Sequence, residues 1–173
     1  MSGSLRDVCK EGTAYVIDAA GFFASTPLNL VGKSLTVPEV VAEVKDLRSR
    51  LALQYLLSAG KLIVVEPPKD EVRYVKSLSK NLGEFGRLSK TDISLLALVS
   101  LLKKVCKRVV VVTDDHSVQN VALRIGAEVH GIKVPELRRY RRYVYVCPVC
   151  GYTSSKPGTC PKCGFELVKK RAR

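Results

Sequence analysis

No run of about 20 apolar residues exists in this chain, so no membrane-spanning helix is expected. The first thirty residues also lack the basic-then-apolar signature of a secretory signal. Histidine occurs only twice, at His116 and His130, and no Ser-His-Asp arrangement suggests itself. His116 reads as a loop residue rather than a general base. Acids are scarce beside bases, 16 Asp and Glu against 29 Lys and Arg, for a net charge of +13. These absences lead to an expectation of a cytoplasmic protein, in which the six cysteines would be thiols or metal ligands rather than disulfides. Cys9 and Cys106 are expected to be structural thiols.

The positive charge is concentrated. Residues 1–132 carry a net +4 and residues 133–173 a net +9. A basic tail of this kind suggests a polyanionic partner, nucleic acid first, with a merely solvated surface as the alternative. Arg138, Arg139, Arg141, Arg142, Lys169, Lys170 and Arg171 are the candidates for phosphate contacts. Tyr140 and Tyr143 could stack on bases or pack against the C-terminal segment.

Along residues 1–134, short apolar runs alternate with helical periodicities. Ala14–Asp18, Leu35–Val37, Leu62–Val65, Val109–Thr113 and Glu128–Ile132 read as strands. Val37, Val40, Val41 and Val44 mark one face of a helix from Pro38 to Leu47. Further helices are expected over Arg48–Ala59, Asp70–Leu82, Ser89–Lys104 and Ser117–Ile125, with Gly60 and Gly126 as stops. Strand–helix alternation implies an α/β fold, an open parallel sheet covered on both faces. The all-apolar Val109–Val112 suits a strand buried on both sides.

Residues 135–144 form a charge-dense connector, and 145–173 change to Cys, Gly, Pro and Lys. Cys147-Pro-Val-Cys150-Gly and Cys160-Pro-Lys-Cys163-Gly are two matching knuckles with nine residues between them. Two residues inside each pair let both sulfurs face one ion, and four thiolates are a closed structural zinc set. A unit this small buries too little core to fold without its metal.

The acids of the first domain are placed suggestively. Asp18 ends the first strand, and Asp114 and Asp115 end the Val109–Thr113 strand. In open parallel sheets ligands bind beyond the carboxyl ends of strands, where the strand order reverses. Each acid also has a plainer reading. Asp92 is the fourth residue of a capping box begun by Ser89, and either Asp114 or Asp115 could cap the following helix. On a helical wheel Glu43 lies nearest the valine face, whereas Glu39 and Asp46 point more nearly away. Carboxylates gathered at one sheet edge repel one another, and all-oxygen ligation favours magnesium or manganese. Such a site suits phosphodiester cleavage.

The stretches "YVIDAAGFF", "TVPEVVAEVKD", "LSKTDISLLAL" and "VVVVTDDHSVQNVALRIGAEV", in this order, resemble a PIN-domain nuclease. With "YVCPVCG…TCPKCG" after them, the chain resembles the Nob-one family of PIN endoribonucleases with a zinc ribbon, in its compact archaeal form. The resemblance implies cleavage of single-stranded precursor small-subunit rRNA at its 3′ end, within a pre-ribosomal particle. It implies a metal-binding set of Asp18, Glu43, Asp92 and Asp115, with Asp115 matching the aspartate of a Thr-x-Asp motif and Asp114 in its variable middle position. It also implies a magnesium or manganese cofactor for catalysis beside one structural zinc. A non-catalytic RNA-binding assembly factor and a toxin-type PIN ribonuclease remain as alternatives.

Overall fold

A computed structural model describes residues 8–9, 12–23 and 34–172. Five parallel strands form the main sheet: β1 (Thr13–Ile17), β2 (Ser34–Thr36), β3 (Leu62–Val64), β4 (Arg108–Val112) and β5 (Glu128–His130). Their spatial order is β3-β2-β1-β4-β5. The chain winds outward from β1 in one direction, then returns to the other side of β1 with β4. The strand order therefore reverses between β1 and β4.

Among the elements described in full, six helices accompany the sheet: α1 (Ala19–Phe23), α2 (Pro38–Glu43), α3 (Leu47–Ser58), α4 (Lys69–Leu82), α5 (Lys90–Lys103) and α6 (His116–Ile125). Helix α5 is almost wholly apolar and buried from Ile93 to Ser100, so it forms the centre of the core. Its capping box is complete: the Ser89 hydroxyl accepts from Asp92 N at 3.1 Å, and Asp92 accepts from Ser89 N at 2.7 Å. In β4, Val109 and Val111 are as buried as Val110 and Val112, the mark of a strand covered on both faces.

Two expectations change. The valine-faced helix ends at Glu43 rather than Leu47, because Asp46 accepts a hydrogen bond from Ser49 N at 2.9 Å and starts α3 afresh. Cys9 and Cys106 are joined in a disulfide rather than remaining thiols. Cys9 precedes β1 and Cys106 precedes β4, and these strands pair in parallel from Thr13 against Arg108, so their entry ends lie side by side. The Cα–Cα distance of 5.1 Å lies within disulfide range.

The C-terminal segment is an antiparallel sheet in the order β7-β6-β8, with β6 (Tyr143–Val146), β7 (Thr153–Ser154) and β8 (Val168–Arg171). It is docked on the first domain. The Tyr145 hydroxyl donates to Gly83 O at 3.3 Å, and a Cβ on Gly83 would stand 2.3 Å from Tyr143 O. Gly83 also takes the left-handed φ of +71° that closes α4, so two independent constraints require glycine there.

Candidate active site and metal centre

Asp18 stands at the reversal point between β1 and β4. Asp18 follows β1 directly, and its N–H donates to Val112 O at 3.2 Å. Its carboxylate accepts from Ala19 N at 2.6 Å and from the Thr113 hydroxyl at 2.7 Å. The same Thr113 oxygen accepts from Asp115 N at 3.1 Å. Thr113 is fully buried, so this hydroxyl is a fixed link between the ends of the two strands.

Burial pushes the Asp18 carboxyl above its ordinary value. The bonds from Thr113 and Ala19 pull it down, and the negative charges of Asp92 and Glu43 push it up again. Asp18, Glu43 and Asp92 therefore share one electrostatic neighbourhood, although they come from three separate elements. Glu43, the last residue of α2, accepts from the Thr91 hydroxyl of α5 at 2.6 Å. Asp92 lies one residue further along α5.

Each acid also has a local structural role. Asp92 completes the capping box. Asp115 caps α6: its Oδ1 accepts from Ser117 N at 2.6 Å and Val118 N at 3.2 Å. Among the described residues, Glu43 Oε2, Asp92 Oδ1 and Asp115 Oδ2 receive no hydrogen bond. An ionised carboxylate offers about four acceptor sites. Oxygens left open beside a destabilised Asp18 are the donor chemistry that a hard divalent cation takes. The carboxylates are not drawn into one cluster, however. Among the described residues, the one group of three or more metal-type ligands within 4.8 Å of one another is made of cysteines.

Asp114 does something else. Its Oδ1 accepts from the backbone N–H groups of Ile132, Lys133 and Val134 at 2.7, 2.9 and 3.2 Å. The Lys133 N–H leads the donors that hold this carboxyl below its usual range. Of the two adjacent aspartates, Asp115 caps the helix and Asp114 fastens the turn after β5.

Other residues acquire partners that their sequence positions did not suggest. Glu39 is exposed, yet it accepts from the Ser94 hydroxyl of α5 at 3.0 Å. Glu39 and Glu43, one helical turn apart, both lean on α5 because α2 is a single short segment packed against it. Glu84 is buried between Asn120 Nδ2 at 2.8 Å and Lys169 Nζ at 2.8 Å. A capped loop at the end of α4 gave no sequence signal for this. His116 opens α6, and its Nε2 lies 3.1 Å from Pro135 O.

Cys147, Cys150, Cys160 and Cys163 bring their sulfurs together from both knuckles. Gly151 and Gly164 follow the second cysteine of each pair with φ of +72° and +75°. Backbone N–H groups of Cys150 and Val149 lower the Cys147 thiol to about 6. The Cys163 thiol is pushed up to about 12, first by its hydrogen bond with Cys147. Four thiolates this close would repel one another, and a cation among them would relieve that. The site fits a tetrahedral soft metal.

The basic residues of the C-terminal segment fall into two groups. Arg138, Arg139, Arg142, Lys170 and Arg171 are exposed, and among the described residues their side chains make no hydrogen bond or ion pair. Arg141 is exposed too, with its backbone N and O held by Asn120 at 2.6 and 2.8 Å. Lys169 is only 21% exposed; it pairs with Glu84 and covers the Tyr143 ring at 3.9 Å. Tyr143 stands at the seam with the first domain, against Gly83, and Tyr140 lies under Arg124 at 5.4 Å.

Residues 15–102 match the family described as PIN domain of ribonuclease, and residues 144–170 match a heavy metal binding domain. The chain is similar to Endoribonuclease Nob1 of Pyrococcus abyssi, at 37% identity over 91% of this chain and 95% of that protein. Endoribonuclease Nob1 of Archaeoglobus fulgidus is 35% identical over 92% of each chain. Ribonuclease VapC3 of Aeropyrum pernix is 36% identical, over 73% of this chain and 91% of that protein.

Proposed function

The chain belongs to the Nob1 family of PIN-domain endoribonucleases, and from that premise we propose that it cuts precursor small-subunit rRNA at its 3′ end within a pre-ribosomal particle. The observation that carries the reading is the shared field of Asp18, Glu43 and Asp92 at the point where the strand order reverses. We assign the catalytic metal to Asp18, Glu43, Asp92 and Asp115, and its identity to magnesium or manganese. A divalent cation held there would supply the positive charge that phosphodiester cleavage needs.

The chain's own residues prepare the site. Thr113 holds the Asp18 carboxylate in place and ties it to the turn carrying Asp115. The capping roles of Asp92 and Asp115 immobilise two further carboxylates at helix starts without occupying both oxygens of either. Thr91 orients Glu43. Without a cation this edge would repel phosphate; with one, a polyanion can approach. The four cysteines would hold one structural zinc, which keeps the ribbon folded against the nuclease domain.

The test is incubation of RNA spanning the rRNA 3′ end with manganese or magnesium, comparing the wild type with Asp18→Asn and Asp115→Asn. Cleavage by the wild type alone, at one mapped position, is the expected result. Equal cleavage by all three proteins would overturn the metal-site assignment. The similarity to Ribonuclease VapC3 favours a second reading, cleavage of another RNA class. That likeness spans 73% of the chain, so the mapped position in total RNA decides between the two.

A further inference from the structure

The docking of the ribbon leaves a seam with a cavity on each side of Tyr143. One, of about 430 Å³, is lined by Arg87 and Lys169 and reaches Asp115 and His116 at the nuclease edge. The other, of about 250 Å³, is lined by Lys80, Arg142, Thr153 and Ser154 and contains no acid. Tyr143 lines both. The seam therefore runs from a proposed metal ligand, between the two domains, to a groove whose only charged lining residues are Lys80 and Arg142.

The cations along it are not equivalent. Lys169 is neutralised by the buried Glu84. Asp114, which also faces the first cavity, is committed to three backbone N–H groups. Arg87 is exposed, and its side chain has no hydrogen bond or ion pair among the described residues. The same holds for Arg142 on the far side. Unpaired guanidinium groups lie on both walls, one from the nuclease domain and one from the segment leading into the ribbon. Planar guanidinium groups bind phosphate oxygens well. Both cavities are too small for a duplex.

We propose that this seam is the track for the single strand of RNA leading to the cleavage site, with Arg87 and Arg142 gripping successive phosphates on either side of Tyr143. The proposal rests on the RNA-cutting reading above, and it adds Arg87, from the loop after α4, to the RNA-binding set. Lys169 leaves that set: its charge maintains the wall of the track rather than contacting phosphate.

The test uses the full zinc-loaded chain and a labelled ten-nucleotide oligouridylate, with binding followed by fluorescence anisotropy across a salt series and no added magnesium or manganese. Each lost phosphate contact on a single strand reduces the slope of log K against log salt by about 0.7. R87Q/R142Q should thus flatten the slope by about 1.4 with an unchanged melting temperature. R50Q/K61Q, exposed on α3 and just before β3, should leave the slope as it was. A duplex of equal length should compete at least about tenfold less well, and polyglutamate should not displace the RNA. An unchanged slope in R87Q/R142Q, equal competition by the duplex, or displacement by polyglutamate would overturn the proposal. Metal-dependent cutting with an unchanged slope would sink the track and spare the nuclease reading; a flattened slope with no cutting by the wild type would do the reverse.

Discussion

The Thr113 hydroxyl donates to the Asp18 carboxylate at 2.7 Å and accepts from the Asp115 N–H at 3.1 Å, so one buried oxygen bridges two proposed metal ligands. Thr113→Val keeps the shape and removes both bonds. A buried N–H left unpaired costs about 1–3 kcal/mol. The Thr113 bond lowers the Asp18 carboxyl, so its loss should raise that carboxyl further. The acid limb of the pH–rate profile should shift to higher pH in Thr113→Val and return in Thr113→Ser. An unmoved limb in the valine variant would show that Thr113 does not tune Asp18.

Asp18 is expected to work against folding. Its folded carboxyl binds a proton more readily than the unfolded chain's does. Its favourable contribution is therefore fully present below the unfolded value and is lost as pH rises through the folded one. At neutral pH, Asp18→Asn removes the buried charge and its repulsion with Asp92 and Glu43. The variant should melt higher than the metal-free wild type, by on the order of 2 °C, while cleavage falls about 100-fold or more. Thermal melts at pH 4 and pH 7 check this, because the gain should shrink at the lower pH. An equal gain at both would point to a different cause.

The adjacent aspartates should separate in the opposite sense. Asp114→Ala strips the acceptor from three backbone N–H groups and should cost about 2 kcal/mol. At permissive temperature its cleavage rate should stay near that of the wild type. Asp115→Asn keeps a side-chain oxygen able to cap α6, so its stability should change little while cleavage is lost. Measuring melting temperature and rate for both variants tests the division. A stable but inactive Asp114→Ala would reassign Asp114 to the metal.

Much of this was legible in the sequence because the relevant signals are local. The apolar run Val109–Val112 between turn residues identifies a doubly covered strand, and Ser89-Lys-Thr-Asp92 spells a capping box. Cysteine spacing identifies the ribbon. What stayed hidden depends on long-range packing. The helical wheel turned Glu39 outward, and it is exposed, but the wheel could not show the Ser94 hydroxyl of α5 that reaches it. The partners of Asp114 lie 18 to 20 residues further on, across β5. Glu84 and Lys169 are 85 residues apart, and nothing near either foretells a buried ion pair. Lys169 accordingly read as one more surface cation of a basic tail.

That ion pair makes the two domains depend on each other. Removing the ribbon's metal should unfold the β6–β8 sheet, since its buried core beyond the cysteines is little more than Tyr145 and Leu167. The consequences extend into the nuclease domain. Glu84 would lose Lys169, and Gly83 O would lose the Tyr145 hydroxyl. Asn120 would also be at risk of losing Arg141, which leads directly into β6. A buried carboxylate deprived of its cation is strongly destabilising, about 3–5 kcal/mol in other proteins. Unfolding of the ribbon would admit water and soften that penalty. Chelation by a strong zinc chelator should therefore collapse the amide signals of residues 143–172 and also lower the melting temperature of the α/β domain. In Glu84→Gln, which removes the buried charge, the ribbon should dock less firmly and chelation should lower that melting temperature by a smaller amount. A ribbon whose amide signals survived complete metal removal would refute metal-driven folding. An α/β domain whose melting temperature ignored chelation would show that the Glu84–Lys169 pair carries no coupling.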